Sequence, residues 1–197
     1  MHRENMDIVE AIKPRPDIKD YYGNLPLFYS LMKNDVEMVK YLFKKGKDYY
    51  SLRNYKNESI FHVAGKFNSI DALKILIDDQ PFQEEVIRKD YLGDTPLHKA
   101  GKRGNIPMVE FYLSPTNSKT DRMILDLQND FGLTVFEAVN DKIKLLEDSI
   151  ATKFQQKLSV DKEQEKLRNL TLAVKYIQKA SVMEERSGAG DVSGAPE

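Results

Sequence analysis

Apolar side chains fall into four short stripes at helical spacing: Val36, Val39, Leu42 and Phe43; Ile70, Leu73, Leu76 and Ile77; Ile106, Val109, Tyr112 and Leu113; and Ile143, Leu146 and Ile150. Steps of three and four residues put each set on one face, so each stripe predicts a helix with one buried side. A polar opening precedes every stripe and carries a residue that tolerates positive φ: Gly23, Asn57, Gly93 or Gly132, spaced 34, 36 and 39 residues apart. Between opening and stripe there is room for one more short helix. Pro26 and Pro96 stand where that helix begins, a position at which proline's missing N–H costs nothing. The unit is thus a turn and two short helices, which cannot bury both faces alone, so stacked neighbours must supply the rest of the core.

This pattern predicts an all-α solenoid over residues 17–155, with units at about 20–53, 54–89, 90–128 and 129–155. The fourth unit aligns only if its helix break is two residues shorter, and 143–158 also reads as one long helix. Residues 1–16 hold an amphipathic stretch at 6–12, stopped by Pro14 and Pro16, and read as a degenerate N-terminal cap or half repeat. Residues 156–183 predict a capping helix started by Asp161, with Leu167, Leu170, Val174 and Ile177 on one face. That face packs back on the repeats or, as a short seam, joins a second copy through 161–183. The stretch 184–197 has almost no large apolar side chains and is expected to be disordered. Two connections, 78–89 and 114–128, are longer than the repeat needs, and Met123, Ile124 and Leu125 predict a short helix in the second.

The third unit carries the most specific run: Thr95, Pro96, Leu97, His98, Lys99 and Ala100, then Gly104, Asn105, Ile106 and Val109. It resembles the T-P-L-H-x-A signature of the ankyrin-repeat family, whose period is about 33 residues. Unit two keeps Phe61, His62 and Ala64 but has Ser59 and Ile60 for Thr-Pro. Unit one keeps Pro26 and Leu27 but has Phe28 for the His, and unit four keeps Gly132 and Thr134 but has Glu137 there. The resemblance implies a helical stack with β-hairpin-like fingers, and partners bound on a concave side lined by fingers and first helices. It also implies structural repeat roles for Pro26, His62, Gly93, Thr95, Pro96, Leu97, His98, Ala100, Gly104 and Gly132.

Charge and composition narrow the function. Thirty Lys+Arg against 31 Asp+Glu leave a net charge of −1 in 197 residues. A bulk nucleic-acid binder, with a pI above about 9, is therefore disfavoured. The absence of Cys excludes disulfides, thiolate zinc sites, iron–sulfur ligation and thiol catalysis. No run of about 18 apolar residues offers a membrane span, and the polar start has no signal-like run. The expected location is inside the cell, in cytoplasm or nucleus, with secretion as a bacterial effector left open. No nucleophile elbow, phosphate loop, H-E-x-x-H or EF-hand pattern occurs, so no catalytic residue, metal or cofactor is expected. A catalyst without a known motif is the rival reading.

His62 and His98 hold equivalent places one repeat apart, roughly 10 Å for packed helices, too far for two ligands of one metal ion. Each is read as a local hydrogen-bonding residue at the turn–helix junction. Aromatic side chains, in contrast, recur where packing does not demand them. The residue after Asp20, Asn54 and Asp90 is Tyr21, Tyr55 or Tyr91, and in the fourth unit Phe131 lies one place further on. Such rings serve either as interface anchors or as packing for their own fingers. Along the first helices, Tyr29, Lys33, Lys66, Phe67, Lys99, Lys102 and Arg103 form a basic set with interspersed aromatics. Together these residues predict protein–protein recognition by an adaptor, regulatory or scaffolding subunit. Its partner would be an extended or helical segment with acidic and apolar residues. An assembly chaperone is the alternative.

Overall fold

The computed structural model describes residues 16–44, 51–77, 82–113, 121–156 and 158–188; the expected helix at 6–12 and the tail at 189–197 lie outside them. The described residues form α1 (Pro26–Met32), α2 (Val36–Phe43), α3 (Ile60–Phe67), α4 (Ile70–Ile77), α5 (Phe82–Val86), α6 (Pro96–Arg103), α7 (Ile106–Tyr112), α8 (Asp121–Asp126), α9 (Val135–Gln155) and α10 (Asp161–Gly188), with no strand among them. The chain is an all-α solenoid.

Local chemistry starts and stops the helices. Ser59, Thr95 and Thr134 cap α3, α6 and α9, each in a box closed by the side chain three residues on: His62, His98 or Glu137. The first and second helices of three units are separated by one left-handed residue, Asn34 (φ 51°), Asn68 (φ 59°) or Gly104 (φ 67°), always eight residues past the helix start. In the fourth unit that place falls to Ile143, whose branched Cβ clashes in the left-handed region. The break expected there is therefore absent, and α9 runs unbroken for 21 residues. The stripe Ile143, Leu146 and Ile150 is only half buried and makes no second helix. α10 takes that place instead, packing on α7 and α9 with Leu170, Ala173, Val174 and Ile177 inside. The seam that a second copy would need is thus occupied within the chain. The same helix runs on through 184–188, part of the stretch expected to be disordered; residues 183–186 (Met, Glu, Glu and Arg) contain no helix breaker.

The fingers are turns built on one repeated device. Asp20, Asn54, Asp90 and Asn129 each turn Oδ1 back on the chain. In every finger that oxygen accepts the backbone N–H groups two and four residues further on. Successive fingers are tied by the N–H groups of Tyr55, Tyr91 and Asp130, which donate to the carbonyls of Tyr22, Lys56 and Leu92 at 3.0 Å. The contact leaves no room at Gly93: a Cβ there would lie 2.3 Å from the Asp130 nitrogen, and φ is +72°. Polar side chains ahead of the second helices add further ties. Ser69 donates to the Leu31 carbonyl, and Asn105 Nδ2 to those of Gly65 and Lys66 at 2.7 and 3.0 Å, satisfying helix-end acceptors of the preceding unit.

The core is one column of first-helix and second-helix side chains, continuous from Leu25 to Ile177. The two long connections join it. Val86 of α5 and Ile124 of α8 are buried, and Glu85 links Arg53 (2.9 Å) with Arg88 (2.6 Å). The short helix expected from Met123, Ile124 and Leu125 is α8, whereas α5 had no clear periodic signal.

Candidate protein-binding site

The two buried histidines work between units. His62 Nδ1 accepts the Ser59 N–H (3.1 Å), and its Nε2 donates to the Asp94 carbonyl of the next finger (3.0 Å). His98 repeats this with Thr95 (3.4 Å) and the Leu133 carbonyl (3.1 Å). A ring that accepts at one nitrogen and donates at the other must be neutral. Burial pushes His62 down from 6.5 to about 4, with neighbouring carboxylates opposing only in part, and burial lowers His98 as well. The unfolded chain therefore takes up these protons near pH 6.5 and the folded chain only at lower pH. The stack should be fully stable above about pH 6.5 and lose stability as pH falls towards 4, by at most about 1.4 kcal/mol per pH unit for each ring. Unfolding midpoints in urea between pH 7.5 and 4 check this. His62→Gln keeps a capping partner and should reduce the slope; an unchanged slope would contradict the assignment.

Tyr21, Tyr55 and Tyr91 occupy one register position and are 89%, 71% and 55% exposed. The finger ladder fixes the backbones of Tyr55 and Tyr91, and Asp20 folds the turn that carries Tyr21, so the rings are presented rather than merely left over. Tyr22 packs edge-on against Tyr21 at 5.5 Å, the Lys19 ammonium lies 5.9 Å from the centre of the Tyr55 ring, and Phe131 extends the exposed series to the fourth finger. Tyr29 and Lys33 are separate from this row. They line an apolar hollow of about 640 Å³ on the first unit, with Ile18, Pro26, Met38 and Leu42, and the Tyr29 hydroxyl donates to Asp20 at 2.5 Å.

The predicted basic residues other than Lys33 come together, in a second hollow of about 370 Å³ walled by Leu92 and Asp94. Lys66, Lys99, Lys102 and Arg103 all line it. Beneath them are acids that the sequence reading did not include. Lys99 Nζ lies 2.5 Å from Asp90, 3.3 Å from Asp94 and 3.9 Å from Glu58; Lys102 lies 2.7 Å from Asp94, and Lys66 3.6 Å from Glu58. All three carboxylates are buried. Burial by itself would lower the Lys99 ammonium, but its bond to Asp90 and the three negative charges hold it above its usual value. Burial likewise favours protonation of Asp94 and Glu58, yet Lys102 with Asn129, and Asn54 with Lys66 and Lys99, keep them below the usual carboxylate range. Lys99 is therefore an internal counter-ion for three acids, while the Lys66 and Lys102 side chains are more exposed, at 24% and 27% against 13% for Lys99. Phe67 is 42% exposed with the Lys66 ammonium 5.6 Å from its ring centre.

Two cations of the hollow lay outside the predicted set: Lys142 of α9 and Lys166 of α10. Lys142 follows Val135 by seven residues, as Lys33 follows Pro26 and Arg103 follows Pro96, so extending the comparison to the fourth unit finds it. Lys166 gives no such signal. The tyrosines of the finger row line neither hollow; the row and the basic hollow meet at the third finger, where Leu92 follows Tyr91. Among the described residues, no group of three His, Asp or Glu is arranged to hold a metal ion, and no helix is long and apolar enough to cross a membrane.

Finger, first helix, left-handed break and second helix, joined through buried histidines, define a stack of ankyrin repeats. The family model described as ankyrin repeats (many copies) matches residues 31–77 and 61–111. Two relatives named for ankyrin repeats come from Fowlpox virus (strain NVSL). FPV223 is 33% identical over 48% of this chain and 63% of its own length, so this chain spans less than two thirds of that relative. FPV230 is 27% identical over 55% of this chain and 72% of its own length. Ankyrin repeats are in general non-catalytic protein–protein interaction modules.

Proposed function

We propose that this stack is a non-catalytic recognition module, acting inside the cell as an adaptor or regulatory subunit that holds a segment of another protein across its fingers and first helices. The observation that carries the reading is the row Tyr21, Tyr55 and Tyr91: three large exposed rings at one register position, each on a finger held by side-chain and backbone hydrogen bonds. Rigid rings lose little freedom on binding and offer both apolar area and a hydroxyl, which suits them as anchors. Phe67 widens the apolar surface on α3. Lys66, Lys102 and Arg103 favour a segment with acidic residues, whereas Lys99, held by Asp90, Asp94 and Glu58, supports the site from below.

A partner captured from the native cell, identified by mass spectrometry and purified, allows the surface to be mapped by amide hydrogen exchange. Protection should appear in the fingers 20–24, 54–58 and 90–94 and at the exposed sides of α3 and α6. Protection confined to the second helices α2, α4 and α7 would contradict the reading.

A further inference from the structure

The cations around the basic hollow come from four helices far apart in sequence: Lys66 from α3, Lys99, Lys102 and Arg103 from α6, Lys142 from α9 and Lys166 from α10. Against these six the chain sets three buried carboxylates, Glu58, Asp90 and Asp94, and all three are engaged by Lys66, Lys99 or Lys102. Arg103, Lys142 and Lys166 form no ion pair with any described carboxylate. Three positive charges thus stand unbalanced around one concave space, in a chain whose net charge is −1. Like charges drawn together repel, and an anion among them turns that repulsion into attraction.

We propose that this hollow is a phosphate site, taking a phosphorylated side chain on the polypeptide that the stack binds. A carboxylate brings one negative charge, whereas a phosphate monoester brings about 1.5 to 2 and three strong acceptor oxygens. That matches three free cationic heads arriving from α6, α9 and α10. The Arg103 guanidinium can engage two phosphate oxygens at once, and the lysines act as point charges. A space of about 370 Å³ accommodates the phosphate with part of the residue that carries it, and Leu92 provides an apolar wall beside Tyr91 of the finger row. The inference rests on the proposed recognition role for the carrier of the phosphate, but not for the phosphate chemistry itself. The site also gives α10 a task beyond covering the stack, since Lys166 completes it.

The test uses five probes on the whole chain: a degenerate peptide library with a fixed phosphoserine, the same library with serine there, the same library with glutamate there, inorganic phosphate alone and a single-stranded RNA. The phosphoserine library should bind at least about tenfold more tightly than either counterpart and than inorganic phosphate. Lys142→Gln/Lys166→Gln, at one half-buried and one exposed position that form no ion pair with a described carboxylate, should abolish that preference while unfolding at the parental temperature. Equal binding of the three libraries, or an unchanged preference in the variant, would overturn the proposal. So would phosphopeptide binding no tighter than that of inorganic phosphate, or tighter binding of a single-stranded RNA. The recognition role fails separately: phosphatase treatment of a captured partner tests only the phosphate, while removal of the finger rings tests only the row.

Discussion

Tyr112→Ala is expected to destabilise the stack by about 4 kcal/mol, whereas Tyr112→Phe should cost about 1 kcal/mol. Tyr112 ends the second helix of the third unit and is fully buried. Its hydroxyl donates to the Phe61 carbonyl at 2.7 Å, across to the first helix of the second unit. The ring lies over Gly65, where an added Cβ would stand 3.3 Å from it and 2.7 Å from the Pro96 carbonyl oxygen. Gly65 therefore lets α3 and α6 approach closely, and Tyr112 fills the space behind them. Burial also pushes the hydroxyl well above its ordinary value, so it stays a proton donor at any pH the fold tolerates. Truncation to Ala opens a cavity at the junction of units two and three and weakens the packing there, leaving the fingers, His62 and Asn105 as the polar ties across it. In an array where each unit touches only its neighbours, such a loss divides the cooperative unit. Denaturant unfolding followed by ellipticity checks the magnitude. An Ala variant no less stable than the Phe variant would show that the ring does not fill this junction.

The parts of the fold legible in the sequence were those that repeat. Helical stripes, turn residues and the run from Thr95 to Ala100 each report a local requirement that recurs unit by unit. Capping by Thr95 and positive φ at Gly93 depend on only a few neighbouring residues. The fourth unit carries the stripe of a second helix but lacks the residue that makes a break, and α9 follows the other reading, one long helix, over 143–155. Ile143 in the place of Asn34, Asn68 and Gly104 carries that information. What could not be read is what returns from a distance. α10 begins 49 residues after the end of α7 and takes the position of a second helix, bringing Lys166 to the basic hollow with no pattern to announce it.

The candidate site divides in the same way. The tyrosine row follows from register alone, since each ring is the next residue after the side chain that folds its finger. The charge of the hollow does not, because every lysine has to be weighed against acids in its own and adjacent units. Lys99 looked like a free cation on α6, yet it is shared by Asp90 and Asp94 of its own finger and by Glu58 of the finger before. Arg103, a few residues further, has no such partner among the described residues. One turn of helix separates an internal counter-ion from an open one, and only the stacking of fingers decides which is which.

The rings of the second and third fingers carry the recognition role most directly. Tyr55 and Tyr91 are exposed in the free chain, and their hydroxyls are not needed for the finger ladder, which runs through backbone groups. Removing both should therefore leave the fold intact. Interface anchors of this type are worth about 2 kcal/mol or more each, so losing two implies an affinity drop of at least about 100-fold, mostly through faster dissociation. The decisive measurement is the dissociation constant of the captured partner for the parental chain and for Tyr55→Ala/Tyr91→Ala, once both are shown to unfold at the same temperature. A drop of at least about 100-fold is the predicted result. Equal affinity would contradict it and leave the row as finger packing alone.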